Sequence, residues 1–222
     1  MEFPAAKAII SHFEAARSRD NGALSDCFLT PTRTPVARWY LHHRRDNHRL
    51  GGAHLLVLGK NPSSAKILAT RVQGGDATAG IIRERLEDGT LDKVFGRRVG
   101  WVTLANLLPV VSKNPRVLTQ RDKSKFNRTN LTVMKHLLEV ADAVWVAWGQ
   151  TWGMPWAQQS IPGVVNLLKE HRDKPMKALW AEARSHGESQ DIWYPHHPQR
   201  ITITPEAFSD VRLTDDGVER AL

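Results

Sequence analysis

The spacing of apolar residues changes several times along the chain, and each change marks an element. Between Pro4 and Arg19, Ala5, Ile9, Phe13 and Ala16 recur at helical spacing. Pro4 suits the start of that helix and Asn21-Gly22 its end. After the breakers Pro31 and Pro35, Arg38-Trp39-Tyr40-Leu41 reads as a short strand. His54 to Leu58 (HLLVL) is a continuous apolar run between Gly51-Gly52 and Gly59, the pattern of a strand buried on both faces. Val99 to Ala105 and Ala143 to Trp148 repeat that pattern, and Met176 to Trp180 does so more weakly. Helices are predicted between these runs. One covers Ala79 to Glu87. A second covers Asn130 to Val140, with Leu131, Met134, Leu137 and Leu138 on one face. Val164, Val165, Leu167 and Leu168 mark a third.

Strands alternating with helices predict an α/β protein, a three-layer α/β/α sandwich around a mostly parallel four-stranded sheet. A length of 222 residues suits a single domain over 1–222, with a core at about 38–200 and the N-terminal helix at 4–19. Ligands of such sheets bind at the carboxyl ends of the strands. Here those ends lead into Gly59-Lys60-Asn61-Pro62, Asn106-Leu107-Leu108-Pro109, Trp148-Gly149-Gln150 and Tyr194-Pro195-His196-His197-Pro198. The four loops are expected to converge on one rim.

A net charge of +8 favours a polyanionic partner, chiefly nucleic acid. No apolar run approaches the roughly 20 residues that a membrane span needs. Met1-Glu2-Phe3-Pro4 does not open a basic-then-apolar leader, so a cytoplasmic protein without a membrane partner is expected. Cys27 stands alone, which excludes an intrachain disulfide, a four-cysteine iron–sulfur cluster and a zinc ribbon. It reads as a packing residue. His42-His43 and His196-His197 belong to no H-E-x-x-H helix, so neither a metal nor another cofactor is expected. The chain has no G-x-S-x-G elbow and no Walker loop.

The loop residues have chemistry of their own. Gly59 permits close backbone approach, and Pro62 stiffens the loop and restricts Asn61 before it. Asn61 both donates and accepts, so it can orient a water or a polar ligand. The same tetrapeptide also makes a plain turn that seals a strand. Asn106 can offer a donor and an acceptor to the edge of a base, or bond its own loop. His197, held between prolines, can stabilise negative charge on a departing group. Ser63 and Ser64 suit the cap of a following helix.

At these residues the sequence resembles the uracil-DNA glycosylase superfamily. That pattern has G-x-(N/D/A)-P after the first sheet strand and a late His-Pro, here Gly59-Lys60-Asn61-Pro62 and His197-Pro198. Asn106, closing a middle strand, also fits it. Branches that hold an iron–sulfur cluster need four cysteines, so the likeness is to the cluster-free branches. The chain is similar, more closely, to a bacterial and phage family of uncharacterised domains. That likeness runs in order through Asn61-Pro62-Ser63-Ser64-Ala65, Asp76-Ala77-Thr78, Asn106-Leu107-Leu108, Ala147-Trp148-Gly149 and Pro195-His196-His197-Pro198. Gly59-Lys60 stands where that family usually has Met-Leu, and Tyr194 where it has its first histidine.

The glycosylase resemblance implies hydrolysis of the N-glycosidic bond of a flipped base. Asn61 would position the water. Asp76 would activate it, because an amide is no base, or would instead cap a helix near Thr78. His197 would stabilise the departing base. Gly59, Pro62 and Asn106 would line the base pocket, with Asn106 reading the base edge, and Trp148 would stack on the base or pack beneath it. Lys60, Ser63, Lys113, Arg121, Lys123, Lys125, Arg128 and Arg200 would hold DNA, the expected partner of a monomer. A damaged, deaminated or hypermodified phage base would fit, in repair or in phage defence. Two other classes stay open: a nucleic-acid-binding module without catalysis, and a nucleoside or nucleotide hydrolase or deoxyribosyltransferase.

Overall fold

The computed structural model describes residues 5–18, 25–30, 36–45, 51–62, 77–112, 114, 119–151, 153–184, 191–198, 202–215 and 217–221. The side chains of 122, 123, 125, 182–184 and 191–193 lie outside that description. In chain order the elements are α1 (Ala6–Arg17), β1 (Ser25–Leu29), β2 (Arg38–Arg44), β3 (Ala53–Gly59), α2 (Ala77–Glu87), α3 (Thr90–Phe95) and β4 (Val99–Asn106). There follow α4 (Gln120–Val140), β5 (Ala143–Val146), α5 (Pro155–Glu170), β6 (Met176–Arg184), β7 (Asp191–Pro195), β8 (Phe208–Leu213) and β9 (Val218–Arg220).

The apolar run of β3 forms the middle of the sheet. Parallel β4 and β5 flank it, and β6 extends the parallel set beyond β5. Side chains alternate across a strand, so one strand feeds two cores. Leu56 and Leu58 join Phe13 of α1, Leu137 of α4 and Val164 of α5 in one cluster. Leu55 and Val57 join Ile82 of α2 and Phe95 of α3 in the other. Helices therefore cover both faces of an α/β fold. Among the described residues no helix is long and apolar enough to cross a membrane.

The four predicted parallel strands are adjacent, in the order β4-β3-β5-β6, but they do not make up the whole sheet. Among the described residues it is a mixed sheet of nine strands, ordered β1-β2-β4-β3-β5-β6-β8-β9, with β7 also on β6. The expectation of a four-stranded, mostly parallel sheet is corrected accordingly. Antiparallel β2 and β1 extend one side, and antiparallel β7, β8 and β9 the other. The missed strands have no continuous apolar run. β1 (SDCFL) is half-buried throughout, and β8 (FSDVRL) alternates with exposed charges. Helix α4 starts at Gln120 rather than Asn130, because its polar first half is anchored by one buried residue, Phe126. The six-residue α3 is too short for periodicity to reveal it.

This topology sets the carboxyl ends of β3, β4 and β5 side by side. Gly59 is in register with Asn106, and Leu58 with Val146. Because β2 runs the other way, its first residue, Arg38, reaches the same rim, where its N–H donates to Pro109 O at 2.8 Å.

Candidate functional site at the carboxyl rim

The rim is built around Gly59. A Cβ at this position would stand 2.7 Å from Asn106 Oδ1, closer than real Cβ contacts come, so only glycine lets the amide lie over β3. The oxygen faces the Gly59 backbone. The nitrogen, Nδ2, is buried and finds no acceptor among the described residues, in a side chain 5 % exposed. A buried donor without a partner costs roughly 1–3 kcal/mol, so its retention calls for a reason such as a catalytic role or a bound group.

Asn130 of α4 fixes the strand end that carries Asn106. Its own buried Nδ2 donates to the carbonyls of Asn106 at 3.0 Å and Leu107 at 3.2 Å. Asn130→Ala is expected to lower the unfolding free energy by about 2 kcal/mol, because the replacement leaves both carbonyls short of a donor. Urea unfolding checks this, and a change within about 0.5 kcal/mol would mean that the bonds contribute nothing net.

The loops after β3 and β4 run together. Leu107 N–H donates to Gly59 O at 2.9 Å, Leu108 N–H to Lys60 O at 3.1 Å, and Ser112 N–H to Pro62 O at 3.1 Å. The half-buried Asn61 joins them: its Nδ2 donates to Ser112 O at 2.8 Å and to Pro62 O at 3.2 Å. The nitrogen is thus committed to backbone, leaving Oδ1 as the atom able to accept from a water or ligand.

The loop after β5 meets the last motif. Gly149 has φ +70°, and a Cβ there would stand 3.0 Å from His197 Cβ, so the backbone of this loop lies directly against His197. The Lys60 ammonium donates to Gln150 O and ties the β3 loop to the same corner. The segment bearing His197 is held by its neighbours. His196 N–H donates to Leu179 O at 2.6 Å, and the His196 ring Nδ1 donates to His197 O at 2.7 Å. Tyr194 stacks on His196 with ring centroids 6.2 Å apart.

The structure therefore joins Gly59, Asn61, Pro62 and Asn106 in one wall, and Lys60, Gly149, Gln150 and His197 in a second. Trp148 is 2 % exposed and belongs to the hydrophobic cluster that includes Phe13, Leu137 and Val164. Arg121 and Arg128 are exposed on α4. Ser63, Asp76, Lys113 and Arg200 lie outside the described residues, as do the side chains of Lys123 and Lys125. Two polar residues escaped the sequence reading. Arg38 looked like the plain start of a strand, yet it is buried at the rim. Asn130 looked like a helix boundary, yet it lies inside α4. A cation or amide within an apolar pattern was the available signal for both. Among the described residues no group of three or more His, Cys, Asp or Glu side chains is placed to hold a metal.

Residues 38–198 match the model of a family described as "Protein of unknown function (DUF1643)", so the shared span runs from β2 to the segment carrying His197. No curated protein and no solved structure matches the chain.

Proposed function

The chain belongs to the DUF1643 family, whose description assigns no activity, and from the geometry of its rim we propose that it is a monofunctional DNA glycosylase. The reading rests above all on Asn106, a buried amide whose Nδ2 has no acceptor among the described residues, at the strand ends where α/β sheets bind ligands. A flipped base carrying an acceptor on its edge would complete it.

Hydrolysis of an N-glycosidic bond builds positive charge on the sugar and negative charge on the leaving base. Water must approach the far face of the sugar. Asn61 Oδ1 would accept a hydrogen bond from one water O–H and so turn an oxygen lone pair toward the anomeric carbon. The proton lost on attack needs a base, and Asp76 is our candidate. His197 would donate to the departing base as its charge grows. The net charge of +8 supports DNA as substrate and partner; the acting species would be a cytoplasmic monomer.

One observation favours a second reading. Position 61 is an amide, and its nitrogen is committed to Ser112. A chain that binds DNA without cleaving the glycosidic bond would tolerate that arrangement. Duplexes carrying uracil, oxidised, alkylated or glucosylated bases, treated with protein and then alkali, separate the two readings. Strand breaks at a modified base support the glycosylase. Binding without breaks on every substrate supports the module.

The exposed cations of α4 allow a separate test. Arg121→Ala with Arg128→Ala is expected to weaken DNA binding and to flatten the slope of log affinity against log salt by about 1 per lost phosphate contact. An unchanged slope would remove α4 from the DNA face. An enzyme acting on free nucleosides would keep its full activity in the same double variant.

A further inference from the structure

Away from the rim, two buried histidines share one hydroxyl. His42 Nδ1 of β2 and His54 Nε2 of β3 each lie 2.7 Å from Thr103 Oγ1 of β4. Val140 O, 3.4 Å from His54 Nδ1, places the His54 proton on that nitrogen. Thr103 then donates to His54 Nε2 and accepts from His42 Nδ1–H. This leaves His42 Nε2 as a basic lone pair, buried and without a donor among the described residues. Both rings are neutral in this arrangement.

The cover over this unit is α1. Phe13 lies edge-on to His42 at 5.4 Å, parallel to His54 at 6.0 Å and edge-on to Tyr40 at 5.2 Å. Trp101 stacks on the remaining face of His42 at 5.4 Å. Two polar contacts pin the helix: His12 to the Tyr40 hydroxyl, and Glu14 to His136 of α4 at 2.7 Å. Helix α1 precedes the span 38–198 that matches the family, whereas both histidines lie within it.

We propose that α1 is an acid-released cover: protonation of the His42–Thr103–His54 unit detaches it while the sheet stays folded. A proton on His42 Nε2 would be a buried cation with no acceptor among the described residues. A proton on His54 Nε2 would force Thr103 to accept from both rings. Hydrating either cation requires Phe13 to leave, and Phe13 belongs to an element docked at the side of the sheet.

The surrounding charges agree with this direction. Around the pair are His12, Glu14 and Arg17 from α1, Arg44 from β2, and His136 and Glu139 from α4, while His43 of β2 lies on the opposite face beside Glu87 of α2. Asp142 stands before β5, where its carboxylate accepts the His54 N–H, and Lys174 stands before β6. Burial lowers His54 from its ordinary 6.5 to about 4, and Arg17 and Lys174 add to that against Val140 and Asp142. Burial also holds His42 well below 6.5, helped by His54, His43, Arg17 and Arg44. Both folded values are depressed, so docking is strongest above the ordinary histidine pKa and is lost as pH falls toward the folded values.

Hydrogen exchange on the full chain, corrected for intrinsic rates, tests this between pH 7.5 and 4.5. Protection of the α1 amides at 9–17 is expected to fall by up to about a hundredfold per pH unit below pH 6, the limiting slope of two protons taken up on release. Protection in β3, β4 and β5 is expected to stay level. His42→Gln, which keeps a partner for Thr103 but does not titrate, should shallow the α1 slope. If that variant does not fold, Phe13→Leu serves, with release moved to higher pH. Level α1 protection, or loss of α1 and the sheet together, would overturn the proposal.

Discussion

Asn61→Ala and His197→Ala are each expected to cut base release by about 10²–10³-fold, the loss typical of one preorganised hydrogen-bonding group aimed at developing charge. Under the proposed mechanism the two would act on opposite sides of the bond being broken. Asn61 would hold the water through Oδ1, because its Nδ2 is committed to Ser112 O and Pro62 O. His197 would act on the leaving base, from a segment that Gly149 backs and His196 braces. Losing the Asn61 amide also removes the 2.8 Å bond to Ser112, at a cost of about 1 kcal/mol of stability. That is too little to unfold a domain of ordinary stability, so activity should fall much further than folding. Asn61→Asp separates the two functions: a carboxylate still accepts from water and can take its proton, but cannot donate to Ser112. Retained activity with reduced stability is the expected result. If both alanine variants keep wild-type rates, the site is misassigned.

Gly59→Ala should be nearly as damaging for a different reason. The added methyl would sit 2.7 Å from Asn106 Oδ1, and the amide it meets is buried rather than the loose end of a surface chain. Asn106 must therefore move, and the base reading proposed for it would be lost. Activity is expected to drop about a hundredfold, the scale of a group displaced from productive geometry. Overpacking at such a spot typically costs 1–3 kcal/mol, so about 2 kcal/mol of stability should go as well. The double variant Gly59→Ala with Asn106→Ala distinguishes the two effects. It relieves the clash, so stability should recover relative to Gly59→Ala, giving a non-additive cycle between touching residues. Activity should not recover, because the reading amide is gone. Additive stability losses would mean that the methyl does not meet Asn106.

What the sequence revealed and what it hid follow one physical line. HLLVL, VGWVTLA and AVWVAW are buried on both faces, and such strands announce themselves as unbroken apolar runs. β1, β8 and β9 lie toward the sheet edges with half their residues near water, and their alternation is too short to stand out. The first half of α4 was hidden because QRDKSKFNR carries a single core residue, Phe126. At the rim, the glycine–asparagine pair was legible as two separate loop residues, but their contact depends on the register of β3 with β4, which no local pattern encodes. Asn130 was invisible for the same reason: it bonds the β4 end across more than twenty residues of chain. The buried histidines of β2 and β3 read as scattered polar residues until the sheet set them on either side of Thr103.

The most direct test of the central claim is mass spectrometry of the small molecules that the purified protein liberates from phage, cellular and base-modified DNA. The account predicts a free base, with an abasic, alkali-labile site left in equal amount on the strand, and loss of both products in Asn61→Ala. DNA that is bound but yields no free base above the protein-free control, on every substrate offered, would contradict it.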